Sequence, residues 1–153
     1  MTLGLLLALI LAASEPTQVA STPFRTWRPL EFYLAEVEPS PGLIAAQVAG
    51  EDRTVYLHPK VEFDDRGITS ASAVSGPHGE RVIRITLTKT GATRMSELTA
   101  QHLHQVLAIA AGDKVLATPT ITGRLTGETL DIEGSFSLEE AQALAKKLHR
   151  TKQ

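Results

Sequence analysis

From residue 30 the chain alternates with a period of two. Leu30, Phe32 and Leu34 stand opposite Glu31, Tyr33 and Ala35, which predicts a half-buried strand over 30–37. Pro39-Ser40-Pro41-Gly42 then forces a turn. A second extended segment covers 54–63 (TVYLHPKVEF), and its internal Pro59 argues for an edge position. Asp64-Asp65-Arg66-Gly67 closes that segment and opens 68–75, a short turn followed by a strand. Pro77-His78-Gly79 is a hairpin signal leading into 81–88, where Val82, Arg84 and Thr86 oppose Ile83, Ile85 and Leu87. The period then changes. Met95, Leu98, His102 and Val106 form one stripe, which predicts an amphipathic helix over 91–107. Two strands, 107–111 and 114–121, flank Gly112-Asp113, and another short strand covers 129–133. The last element is a helix. Ser137 caps it with Glu140 three residues on, the capping-box spacing, and Leu138, Ala141, Leu144, Ala145 and Leu148 share a face. Lys146, Lys147, His149 and Arg150 suit the negative end of its dipole. The order ββββαβββα predicts an α+β fold: a mostly antiparallel sheet with two main helices packed on one face, a two-layer sandwich.

Composition adds a compartment and removes several chemistries. The 153 residues suit one domain, placed at 30–150. Ahead of it, residues 2–13 are an uncharged apolar run, shorter than the roughly 20 residues a membrane-spanning helix needs. No Lys or Arg precedes the run, but its length and the small residues Ala12-Ala13-Ser14 fit a signal peptide over 1–14. Residues 15–29, with three prolines, read as a linker. The expected location is therefore outside the cytoplasm, periplasmic or extracellular, tethered if the leader stays uncut. Aromatics make up only 5% of the chain, so the core should be aliphatic. A net charge of −2 with both signs interspersed argues against a nucleic-acid surface. The absence of cysteine excludes disulfides, thiol catalysis, thiolate metal sites and a lipid-modified cysteine.

Candidate chemistry is sparse. On a helix His102 and His104 diverge by about 200° and cannot share a metal ion, so His102 reads as a packed histidine. Asp64-Asp65 and Glu51-Asp52 are adjacent acids in turns, without the spaced ligands of a calcium loop. Ser70, Ser72 and Ser75 lack an identifiable base, and no phosphate-binding, dinucleotide or hydrolase signature occurs. The reading is non-enzymatic, with no metal and no cofactor.

Three separated stretches, ITLTKTGATRMSELT (85–99), LAIAAGDKVLATPTI (107–121) and IEGSFSLEEAQALAKKL (132–148), agree in order and spacing with one family. They resemble the head subdomain of the first periplasmic domain of SecD, a component of the SecDF protein-export complex. The likeness is close over about 65 residues and extends weakly to the strand at 30–37. It departs at the turn, where the family's Asp-Gly stands here as Gly112-Asp113, and at Thr118 before Pro119. Proton-driven translocation in that family depends on membrane helices outside the resembling stretch, so it does not carry over. What the resemblance implies is a non-catalytic protein-binding module accessory to export, whose partners are unfolded exported polypeptide or envelope and translocon proteins. Backbone pairing at an open edge with apolar pockets would be the binding mode. The candidate surface is the hairpin around Gly112, with Lys114 and Thr118 as peptide-contacting residues, or the strand carrying Pro59. The alternatives are a small envelope hydrolase with an unrecognised site and a structural or assembly domain.

Overall fold

A computed structural model describes residues 29–150. The expected leader (1–14) and all of the expected linker but Pro29 lie outside the described residues. In chain order the elements are β1 (Glu31–Glu36), β2 (Ile44–Gln47), β3 (Thr54–Asp64), a 3-10 turn (Asp65–Gly67), β4 (Ile68–Ser75) and β5 (Arg81–Leu87). There follow α1 (Lys89–Gln101), β6 (Val106–Ala111), β7 (Lys114–Ala117), β8 (Thr129–Glu133) and α2 (Leu138–Arg150). The class is α+β and every strand ladder is antiparallel. Two features differ from the expected single sheet. β2 is an additional strand, and the strands divide into a five-stranded sheet, β2-β3-β1-β6-β7, and a three-stranded sheet, β4-β5-β8.

The five-stranded sheet curls until its edges meet. Val48, just past β2, forms a parallel bridge with Val115 on β7, and the Ala49 N–H donates to the Val115 carbonyl at 2.8 Å. This closes one end into a small barrel. Its interior holds Tyr33, Ala35, Ala46, Val48, Val55, Leu57, Ala108, Ala110 and Val115, all carried by the five strands or the bridge itself. Barrel diameter scales with strand number, and five strands leave less room than the eight that side chains comfortably fill. Alanine and valine take most of that space, with one leucine and one tyrosine. At its edge the Tyr33 hydroxyl donates to Glu31 Oε2 at 2.6 Å, and burial together with that carboxylate raises the phenol's pKa.

β1 shows what closure does to a strand. It sits between β3 and β6, and both of its faces are buried where alternation suggested one. Tyr33 and Ala35 point into the barrel. Phe32 and Leu34 point outward into the main core. That core also takes Ile83, Ile85 and Leu87 from β5, Ile132 from β8, Met95 and Leu98 from α1, and Leu144 and Leu148 from α2. Phe32 and Phe63 meet edge to face with ring centroids 5.3 Å apart. Each fully buried aliphatic or aromatic side chain contributes about 1.5–3 kcal/mol of transfer free energy.

Pro59 is not on an outer strand, because β3 pairs with both β2 and β1. It is tolerated because the pairing of β3 with β1 slips between Tyr33 and Ala35, opposite the segment that holds it, and β2 reaches only to Leu57. α1 is shorter than its apolar stripe implied. Thr88 caps it by accepting from the Gly91 N–H, and it ends at Gln101 with His102 as C-cap. His104 takes a left-handed φ of 67°, which turns the chain into β6. Val106 belongs to that strand, where its β-branched side chain packs well. α2 keeps its predicted capping box: the Ser137 N–H donates to Glu140 Oε2 at 2.8 Å, and the Glu140 N–H donates to Ser137 Oγ at 3.1 Å. Ala141, Leu144, Ala145 and Leu148 dock as expected. Leu138, by contrast, is 46% exposed, and Phe136 just before the cap is buried in its place.

Candidate functional site

Three loops meet beside the seam where the barrel closes. The first is the β2–β3 turn, where Gly50 adopts φ +72° and lies so close to Ser135 that an added Cβ would sit 2.7 Å from the Ser135 carbonyl oxygen. The second is the two-residue β6–β7 hairpin. Ala111 pairs with Lys114 across Gly112-Asp113, and Gly112 takes φ +63°, the conformation that a glycine-first hairpin turn requires. The third is the segment that enters α2, fixed by its capping box.

Between these loops runs a groove of about 680 Å³. One wall is the outer edge of β2. The Val48 N–H bonds inward to the Arg53 carbonyl, and the Ala49 N–H bonds outward to Val115. Alternation along a strand therefore turns the N–H groups of Ala45 and Gln47 outward as well. β2 pairs on that side only through the single bridge at Val48. The other wall is formed by Asp113 and Lys114 of the hairpin and by Ser135 and Glu140 at the start of α2. The Lys114 ammonium lies 3.8 Å from Glu140 Oε1. The Glu140 carboxyl is held below its usual pKa, chiefly by the Ser137 backbone N–H and also by the Lys114 charge.

The two residues singled out from the sequence fall in different places. Lys114 is exposed and lines the groove. Thr118 does not line it. Its hydroxyl accepts from Arg53 Nη2 at 2.6 Å, and Arg53 also pairs with Glu51 at 2.9 Å, so Thr118 ties the end of β7 to the β2–β3 turn. The wall formed by β2 escaped sequence reading. Its stretch IAAQ carries two adjacent alanines that blur the period, and the only signals are the glycines at 42 and 50 that bracket it.

The remaining candidates stay apart. His102 caps α1 with its ring Nδ1 3.2 Å from Gln105 Oε1, whereas the exposed His104 turns away by its positive φ. Asp64 caps the 3-10 turn through the Arg66 N–H and is gripped by the Arg66 guanidinium at 2.7–3.0 Å. Ser70, Ser72 and Ser75 lie along β4 opposite Thr86, Arg84 and Arg81. Among the described residues no three His, Asp or Glu come together closely enough to hold a metal ion, and no helix is long and apolar enough to cross a membrane.

Comparison with known proteins gives one consistent result. The family model for the SecDF P1 head subdomain matches residues 43–151. The chain is similar to the protein translocase subunit SecDF of Brucella abortus biovar 1, with 39% identity over 79 residues, 51% of this chain and 10% of that protein. It is also similar to the protein translocase subunit SecD of Rickettsia conorii, with 31% identity over 91 residues, 60% of this chain and 18% of that protein. Among solved structures, the crystal structure of SecDF in its super-membrane-facing form superposes with a TM-score of 0.63 at 25% identity, covering 78% of this chain and 18% of that one. The chain thus spans less than a fifth of the length of these relatives.

Proposed function

This chain belongs to the SecDF P1 head subdomain family, and from that premise we propose that it is a non-catalytic protein-binding module accessory to protein export, acting on the exported side of the membrane. Its ligand is extended, unfolded polypeptide. The observation that carries the reading is the open edge of β2 in the wall of the groove, where outward backbone N–H groups stand beside the small side chains of Ala45 and Ala49. An extended segment adds there as a further strand. Backbone pairing makes such binding tolerant of sequence, and the small side chains lining the groove leave room for varied ones on the guest. Lys114 contacts the guest from the opposite wall. Thr118 acts through Arg53, which keeps β7 in register with the β2–β3 turn.

The reading is tested by titrating the full chain into a labelled, permanently unfolded polypeptide and following fluorescence anisotropy. Binding is expected for the unfolded ligand and not for its folded counterpart. Gln47→Pro removes one outward N–H without touching the pairing of β2 with β3, and it should abolish binding while the thermal transition is retained. Ala45→Pro makes the same test one pleat away. Unaltered binding by a folded Gln47→Pro protein would place the ligand elsewhere, and no binding by the unaltered chain would end the proposal.

A further inference from the structure

The groove carries an unbalanced charge. Four carboxylates line it, those of Glu51, Asp52, Asp113 and Glu140, against the single ammonium of Lys114. Two of the acids are already matched: Glu51 by Arg53 at 2.9 Å and Glu140 by Lys114 at 3.8 Å. Asp52 and Asp113 make no ion pair among the described residues and are exposed. They come from different loops, Asp52 from the β2–β3 turn and Asp113 from the β6–β7 hairpin tip. Both line the groove along with Ala45 and Ala49, so negative charge stands beside small apolar side chains there.

An anionic guest is disfavoured even though a helix begins here. The Glu140 N–H is taken by Ser137 Oγ, and Glu139 and Glu140 in the first turn of α2 outweigh the half-charge at its start. We propose that this groove selects extended segments carrying Lys or Arg beside small apolar residues, with Asp52 and Asp113 as the selecting groups. This rests on the peptide-binding reading above. The guest's backbone pairs with β2, its small residues pack beside Ala45 and Ala49, and its cations reach the two unmatched carboxylates. Exposed ion pairs are individually weak, so the effect is a preference among polypeptide segments and disappears as salt rises.

The test uses labelled peptides of equal length and apolar content with Lys, Gln or Glu at the same positions, titrated with the full chain at low and high ionic strength. The Lys peptide should bind about tenfold more tightly than the Glu peptide at low salt, and the gap should close as salt is added. The double substitution Asp52→Asn with Asp113→Asn should bring the three peptides to within about twofold of one another. Both positions lie in turns that accept asparagine, so folding is preserved. Glu97→Gln, on the exposed side of α1, should leave the preference unchanged. Equal binding of all three peptides, or a preference that survives the double substitution, overturns the charge selection and leaves peptide binding standing. Binding of none of them overturns both.

Discussion

The two faces of the five-stranded sheet solve the same problem in opposite ways. Outward, Phe32, Phe63, Ile85 and Leu144 fill a broad space between the sheet, its three-stranded companion and two helices. Inward, Ala35, Ala46, Ala108 and Ala110 leave the barrel room for only Val48, Val55, Leu57, Val115 and Tyr33 besides. Both sets are buried, and Phe32 and Ala108 are each inaccessible to solvent. The lesson is that burial alone does not set side-chain size. An open layered core must be filled, whereas a closed narrow barrel must not be overfilled.

The contrast makes opposite substitutions damaging on the two faces. Phe32→Ala should be the more severe, lowering stability by about 3–5 kcal/mol, because it leaves a void beside Phe63 that surrounding elements cannot collapse into. Ala108→Leu should cost about 1–3 kcal/mol by overpacking the barrel, and its effect would be concentrated at the Val48–Val115 seam. Urea unfolding midpoints at constant m measure both, and amide exchange of Ala49 reports the seam. A leucine tolerated at 108 would mean that the barrel edges do not meet in solution.

Acid sharpens the contrast more gently. The Glu140 carboxyl is depressed by the Ser137 N–H and by Lys114, and Asp131 is depressed by Arg84, which grips it at 2.7–2.8 Å. A group with a depressed folded pKa stabilises above its unfolded value, near 4 for a carboxylate, and loses that contribution as pH falls through the folded value. Lowering the pH below about 4 should therefore release the first turn of α2 and free Lys114. Over the same range, amides of β1 and β6 should keep their protection. Hydrogen exchange resolved by residue measures the difference, and loss of β1 protection first would place the acid-sensitive part in the barrel instead.

The groove inherits both halves of this architecture. Its β2 wall exists because the barrel seam zips only as far as Val48, and its α2 wall exists because the capping box fixes the start of the helix, where Glu140 lies 3.8 Å from Lys114 of the hairpin. Of the two candidate residues of the β6–β7 hairpin, Lys114 reaches this groove, whereas Thr118 is engaged by Arg53. That bond links positions 65 residues apart, and no local pattern announces it.

What the chain determined by itself is local and periodic. Alternation marked β5 and β1, a capping box and an apolar stripe marked α2, and Gly112-Asp113 marked the β6–β7 hairpin, because each is specified by residues a few positions apart. The apolar stripe overruns the end of α1 because Val106 fits both a helical stripe and a strand, and the positive φ at His104 decides between them. Only tertiary structure decided that the strands form two sheets and that one of them closes. Closure is made by contacts such as Val48 with Val115, and it turns alanines with no evident period into a second core. Alanine suits a helix, a strand or a turn almost equally in a local reading. The narrowness of a five-stranded barrel is what makes its small size a requirement.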